Sequence, residues 1–378
     1  MAGAKKGQFR ELISPFLADK ISDAVLTFGN ESPEALALTR QYVRDPLEDH
    51  IRSIERRRHY ESEMQPEFEG RPVVGLERLY RRTVLLEPTT VCAAHCRWCL
   101  RGQYPVKTLK PGDMEHAVRF IGSEFMRDDI DEVLITGGDA LMSVPLLNET
   151  LALLKQHAPN ILTVRIGTRV PFQDPERIDE KLLALFKRYP SFRYELGVNV
   201  NHPIEFWPET RAAISRLQQA GFKIYNQHPL LKGVNDNFET LVSLYSTLRE
   251  IDIEAHYLFH AIPMRGMSHH RTAVAKGLQL ATALSSCGEF SGRAKPHYAV
   301  LSDIGKIVLY HDSIVNRRKE DNSLLLRSGF RLEDRMKWNP TWSMPDSAVL
   351  ANDGTLLTWY LDGDDSTAPA SPIYSAAE

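Results

Sequence analysis

From residue 83 onward, short β-rich runs alternate with amphipathic stretches, and no other feature limits the fold of this 378-residue chain so tightly. The strand candidates are TVLLEP (83–88), EVLITGG (132–138), LTVRIGT (162–168), RYELGVNV (193–200), FKIYNQH (222–228) and IEAHYLFH (253–260). Helix candidates follow at 113–127, 144–157, 175–188, 208–220, 236–250 and 271–286. After the longer first unit the strands recur at roughly 30-residue spacing, the length of one βαβ unit. Parallel strands need a crossover of a dozen residues or more, so this rhythm means a parallel sheet.

Six units exceed one half of a dinucleotide-binding fold and fall short of the eight in a closed barrel. The economical reading is α/β, a partial (β/α)6 TIM-like barrel, with a doubly wound open sheet as the alternative. Both place function at the carboxyl ends of the strands. Residues 1–80 read as a charged helical extension whose basic run, Arg52 to Arg58, fits a solvated helix face. The barrel occupies 81–290. A β-rich extension follows at 291–363, opening with a hairpin turned at Gly305. The tail, 364–378, is small, polar and Pro-containing, the composition of a disordered segment.

Lys and Arg number 46 against 49 Asp and Glu, a formal net charge of −3, which calls for no nucleic acid and no membrane surface. No apolar run reaches the ~20 residues of a membrane span. The opening MAGAKKGQFRELI has no apolar stretch, so the expectation is a cytoplasmic chain.

Only four cysteines are present, and three fall within eight residues: Cys92, Cys96 and Cys99 in TVCAAHCRWCLR, spaced C-x3-C-x2-C directly after the first strand. Three thiolates on one tight loop suit a soft metal or an iron–sulfur cluster. A structural zinc would want a fourth ligand and usually paired cysteines. His95 is the near candidate for that ligand. A three-cysteine cradle leaves one iron of a [4Fe–4S] cluster open to a small molecule. Chance burial of three thiols, a zinc knot, and an electron carrier or structural module are the competing readings.

The motif C-x3-C-x-aromatic-C after the first strand of a βα repeat resembles the radical S-adenosylmethionine (SAM) superfamily. TGGDAL (136–141), RIGTRVP (165–171), NHP (201–203), NQHPLLKGVND (226–236) and HHRTAVAKG (269–277) follow in order at or beyond successive strand ends. With CRWCLR they resemble the lysine 2,3-aminomutase family over roughly residues 73–310. The resemblance implies a partial barrel and a [4Fe–4S] cluster on Cys92, Cys96 and Cys99. It implies SAM on the open iron, cleaved to a 5′-deoxyadenosyl radical that abstracts hydrogen from an amino-acid-like substrate. It implies an isomerase of the aminomutase kind, fed by a flavodoxin- or ferredoxin-type electron donor, with the oligomeric state left open. SAM contacts fall at Gly137, Gly138 and Asp139; Arg169, Asn201 and Gln227 match cofactor-side positions. Glycines let backbone approach a ligand closely. Arg101 matches the arginine that grips the substrate carboxylate, a bidentate task suited to guanidinium.

The pattern also departs from the family. Pyridoxal phosphate (PLP) would be anchored by a lysine in a glycine-rich loop, and here the candidate is Lys306 in SDIGK, an exposed hairpin lysine being the alternative. Thr83 and Leu79 occupy places expected for phosphate-binding arginines, with Arg78, Arg81 and Arg82 adjacent. PLP use is therefore open, and a PLP-independent epimerase, dehydrogenase, lyase or other rearrangement is the rival outcome. The two aspartates that lysine-specific members aim at the substrate's distal ammonium fall at Ile262 and near Leu301, or at Asp303. An apolar pair leaves that charge unpaired, so free L-lysine is not the expected substrate. Arg265, His260, His269 and His270 hint at an anionic or neutral polar group instead. Asn199 stands where the family has a histidine, and Cys287 reads as a buried helix thiol.

Overall fold

The computed structural model describes residues 10–50, 66–78, 80–100, 107–290, 294–310 and 312–364. Two helices come first, α1 (Pro15–Phe28) and α2 (Pro33–Tyr42). Each starts on a Ser–Pro pair. The hydroxyls of Ser14 and Ser32 accept from Leu17 N and Ala35 N, and the proline lacks the N–H that would otherwise be orphaned.

The helical reading of residues 1–80 fails beyond residue 65. Glu67–Phe68 and Arg71–Pro72 pair as a hairpin. It turns at Glu69 and Gly70, both left-handed at φ 52° and 76°, as a tight hairpin requires. Leu76–Glu77 then pairs antiparallel with the first barrel strand. The basic run at 52–58 and the tail from 365 lie outside the described residues.

Six strand–helix units follow, as the spacing implied. They are β1 (Thr83–Thr89), α3 (Pro111–Ile121), β2 (Glu132–Gly137), α4 (Val144–His157), β3 (Thr163–Thr168), α5 (Glu180–Lys187), β4 (Arg193–Val198), α6 (Pro208–Gln219), β5 (Lys223–Leu230), α7 (Phe238–Glu250), β6 (Glu254–His260) and α8 (Val274–Ser286). The strands pair parallel in chain order and curl into an open partial barrel. Alternation decides which side chains go where. Val133, Ile135, Val164 and Ile166 are fully buried in the main core. The positions between them, such as Glu132, Thr136, Arg165 and Gly167, lie on the opposite face of the sheet.

A seventh parallel strand extends this sheet. β7 (His297–Ser302) pairs parallel with β6, then turns through Gly305 at φ 117° into antiparallel β8 (Gly305–Val308). The hairpin matches the sequence reading; the parallel partner does not, because it lies about 40 residues back and leaves no local signal. β9 (Ile314–Arg318), β10 (Ser323–Arg331), β11 (Ala348–Leu350) and β12 (Thr355–Leu361) form a separate antiparallel sheet in the order β9-β10-β12-β11. It is latched to the barrel: Arg271 donates to the carbonyl oxygens of Ala261 (2.9 Å), Leu361 (2.5 Å) and Asp362 (3.1 Å). No helix among the described residues is long and apolar enough to cross a membrane.

Candidate active site

β1 ends at Thr89, and the cysteine loop follows. Cys92, Cys96 and Cys99 all line one cavity of about 480 Å3 at the carboxyl ends of the strands. Its other walls are Thr136–Asp139 at the end of β2, Gly167–Arg169 at the end of β3, Gly197 and Asn199 at the end of β4, Gln227 and Pro229 of β5, Phe259–Ile262 at the end of β6, and Leu301 of β7. Gly197 leaves room there, since a Cβ would lie 3.0 Å from Gln227 Nε2.

The N-terminal segment clamps the loop from outside. His95 N donates to Leu12 O at 2.8 Å, and Arg97 N donates to Gln41 O at 2.9 Å. Arg97 Nε donates to Glu48 Oε1 at 2.8 Å, while Ala94 packs with Leu17 and Tyr42. His95 Nδ1 meets Arg10 O at 2.8 Å, so one of its ring nitrogens is engaged by backbone.

Gly137 and Gly138 let two strand ends touch. A Cβ on Gly137 would lie 2.5 Å from Thr89 O, and one on Gly138 would lie 2.3 Å from Val91 O. Their absence allows Gly138 N and Asp139 N to donate to Thr89 O and Val91 O at 2.7 and 2.8 Å, fixing the base of the cysteine loop. Asp139 is buried, and its carboxylate accepts from Thr168 Oγ1, Arg169 N, Val170 N and Leu141 N. Burial pushes its carboxyl up to about 6, against those four donors.

Arg169 sits beside the cluster loop. Its Nη1 donates to Cys96 Sγ at 3.1 Å, and its Nη2 donates to Glu205 Oε2 at 2.6 Å and Gln41 Oε1 at 3.1 Å. Gln173 Nε2 also reaches Cys96 Sγ, at 3.4 Å. Burial opposes the Arg169 charge, but the groups around it, Tyr42, Cys96 and Glu205 among them, hold its pKa above the ordinary value. Asn201 does not line the cavity. It stands behind, donating through Nδ2 to Gln41 Oε1 at 2.6 Å. Gln41, Gln173 and Glu205 were not singled out from sequence. Only Glu205 carried a signal, as the third residue after His202, where a capping carboxylate belongs.

The donor set fits a cluster better than a single ion. Among the described residues no three His, Cys, Asp or Glu converge on one point as a mononuclear site requires. Each thiolate of a four-iron cluster takes a different iron, so three thiols spread along one cavity wall, as these are, suit a cluster rather than a single ion. Asn199 Oδ1 and Trp98 Nε1 are buried on that cavity without hydrogen-bond partners among the described residues, which suits a polar ligand beside the cluster. Arg101 lies outside the described residues.

Lys306 of β8 pairs across from Leu301. Its ammonium lies 3.9 Å from the centre of the Tyr257 ring and 5.2 Å from that of Phe259. Burial, with Arg165 nearby, lowers its pKa to about 8. The exposed-hairpin alternative is thereby set aside, but Lys306 is not among the residues that line the cavity. The phosphate grip is not at the expected places. Arg81 pairs with Asp129 at 2.8 Å, Arg82 pairs with Asp131, and Arg78 donates to Trp338 O, all at the amino end of β1, away from the cavity. Arg165 is held by Glu132 and Tyr225 at 2.7 Å each. The described residues thus supply a buried lysine one strand from the cavity wall and no phosphate grip at the expected places.

Ile262 and Leu301 do line the cavity; Asp303 opens instead on a second cavity of about 320 Å3 that shares both of them. Arg265, His269 and His270 do not line the main cavity. His260 does, but its nitrogens meet Tyr360 OH at 2.9 Å and Thr272 O at 2.7 Å, so the hint of an anion-binding histidine cluster is not realised. Cys287 is half-buried at the end of α8 rather than inside it.

The sequence profile of the radical SAM superfamily matches residues 86–245, from within β1 to within α7. Residues 86–245 are thus similar to the radical SAM superfamily. It is 34% identical over 233 residues to the L-lysine 2,3-aminomutase of Acetoanaerobium sticklandii, covering 61% of this chain and 54% of that one. It is 33% identical to the same-named protein of Clostridium subterminale (61% and 54%) and 31% identical to the glutamate 2,3-aminomutase of Clostridioides difficile (61% and 53%). The chain spans about half the length of these curated relatives. The three cysteines, the Gly137–Gly138 contact and the first five barrel strands lie within or across the start of the matched residues. The antiparallel sheet of β9 to β12 lies outside the match.

Proposed function

We propose that this chain is a radical SAM enzyme of the aminomutase-like kind, acting on an amino-acid-like small molecule other than free L-lysine. The observation that carries the reading is the placement of all three C-x3-C-x2-C thiols on one cavity at the strand ends. When bound there, a reduced [4Fe–4S] cluster and SAM supply a 5′-deoxyadenosyl radical for hydrogen abstraction.

The chain's own residues do the positioning. Cys92, Cys96 and Cys99 hold the irons. Gly137 and Gly138 seat the cysteine loop against β2, and Asp139 pins the start of the next turn. Gln227 and Asn199 present polar groups to the ligand, while Phe259, Ile262 and Leu301 form an apolar wall that keeps water from a reactive radical. That wall offers no partner for a distal ammonium, which supports a substrate unlike lysine. Relatives named for both lysine and glutamate support different side-chain ends on related scaffolds. Arg101 is the proposed substrate-carboxylate residue.

A second reading keeps hydrogen abstraction and omits PLP. The commitment of Arg78, Arg81 and Arg82 at the amino end of β1 favours it.

The test is anaerobic reconstitution, iron and sulfide analysis, and incubation of reduced protein with SAM and pooled amino acids. Four irons per chain and substrate-stimulated 5′-deoxyadenosine are expected. Deuterium carried from substrate into that product would locate the abstracted hydrogen. Absence of both cluster and SAM cleavage would return the chain to the structural-module reading. Borohydride trapping of PLP on Lys306 would separate the two enzymatic readings.

A further inference from the structure

Two N–H donors converge on a single cluster-loop sulfur. Arg169 Nη1 and Gln173 Nε2 lie 3.1 and 3.4 Å from Cys96 Sγ. Arg169 cannot turn away. Glu205 and Gln41 hold its Nη2 at 2.6 and 3.1 Å, and the rings of Tyr42 and Trp98 flank it at 5.2 and 5.5 Å. Gln41, Tyr42 and Glu205 are wholly buried. Glu205 is itself fixed, accepting from Asn201 N at 2.9 Å and His202 N at 3.0 Å.

Hydrogen bonds to the sulfurs, local charge and solvent exposure set an iron–sulfur potential. A reduced cluster carries one more negative charge. A buried guanidinium donating to its sulfur stabilises that form, and a buried carboxylate beside the guanidinium works against it. Gln41 and Tyr42 belong to α2, outside the region that matches the radical SAM profile.

We propose that Arg169, held by Glu205 and Gln41, is a positioning residue that raises the reduction potential of a four-iron cluster on Cys92, Cys96 and Cys99. α2 is thereby part of the cluster's housing. In the step concerned, one electron passes from a low-potential one-electron donor, which is oxidised, into the cluster; no bond forms or breaks. This inference rests on the cluster assigned under Proposed function.

The test is a dithionite titration of reconstituted full-length protein without SAM, followed by electron paramagnetic resonance. Arg169→Gln is expected to lower the potential by at least a tenfold change in the electron-transfer equilibrium, 59 mV for one electron. Arg169→Lys, which keeps the charge, should restore part of it. Glu205→Gln should shift it upward. Opposite signs are what a merely structural role would not give. Unchanged potentials, or a fall in both Arg169→Gln and Glu205→Gln, would overturn the inference. If those variants lose iron and sulfide, Gln41→Leu, which removes one of the two acceptors on Arg169 Nη2, decides: a lower potential supports the proposal and an unchanged one refutes it. A wild-type protein that binds no four-iron cluster would instead refute the functional reading itself.

Discussion

The Lys306 ammonium stands 3.9 Å above the centre of the Tyr257 ring, on a strand that pairs with the wall of the main cavity. Burial and Arg165 bring its pKa from 10.5 to about 8. The unfolded chain therefore binds more protons between pH 8 and 10.5, and stability should rise with pH across that window. Lys306→Met is expected to stabilise the protein at pH 7 by about 1–3 kcal/mol, a gain that vanishes by pH 11. Urea denaturation at the two pH values checks this; equal gains at both would contradict the buried amine.

Gly138 has no room for a side chain. Gly138→Ala places a Cβ 2.3 Å from Val91 O and 2.4 Å from Thr90 C, so the backbone of the cysteine loop must move. The expected result is a loss of about 3 kcal/mol or more and of iron retention after reconstitution. Gly112→Ala, near the start of α3 with open space around it, should be neutral or stabilising by up to about 1 kcal/mol.

Two buried histidines give the fold an acid limit. His228 and His260 are each pushed down to about 3, chiefly by burial. Their neutral forms are bonded to Tyr245 OH and Tyr360 OH at 2.8 and 2.9 Å. The unfolded state binds the extra protons here, so their contribution is complete above pH 6.5 and is lost as pH falls toward 3. The slope is at most about 1.4 kcal/mol per pH unit for each histidine. His260→Gln should flatten the decline between pH 6 and 5, measured by urea midpoints. Tyr360→Phe should cost about 1 kcal/mol with the decline kept.

The apolar cavity wall makes a substrate prediction. L-lysine should not stimulate 5′-deoxyadenosine release from the reconstituted wild type above the background seen with SAM alone. Ile262→Asp supplies a carboxylate on that wall and should raise the lysine-dependent rate at least tenfold. Robust lysine turnover by the wild type would remove the argument from Ile262 and Leu301.

Much of the barrel was legible because its information is local. Val133, Ile135, Val164 and Ile166 alternate in short runs that mark their strands without reference to the rest of the chain. The cysteine spacing and Gly137–Gly138 were readable for the same reason. What was missed is tertiary. β7 pairs with β6 across the whole of α8, which no turn signal announces. Gln41 lies 128 residues from Arg169, and a glutamine within a charged helix looks like any solvated position. Asp139 was legible as a site residue, yet four donors from its neighbours already fill its carboxylate.

The clamp on the cysteine loop bears on how this chain tolerates insertions. His95 and Arg97 reach Arg10 across separations of 85 and 87 residues, and Arg97 reaches Glu48 across 49. Closing such long loops costs entropy that grows only logarithmically with length. Added residues at the exposed turn between α1 and α2, where Gly29 has open space around it, should therefore pass almost unnoticed. A one-residue deletion within Arg10–Ser14 or Gln41–Glu48 would shift the register of the wall that holds the loop. Length is free at that turn and fixed where the segment touches the cysteine loop.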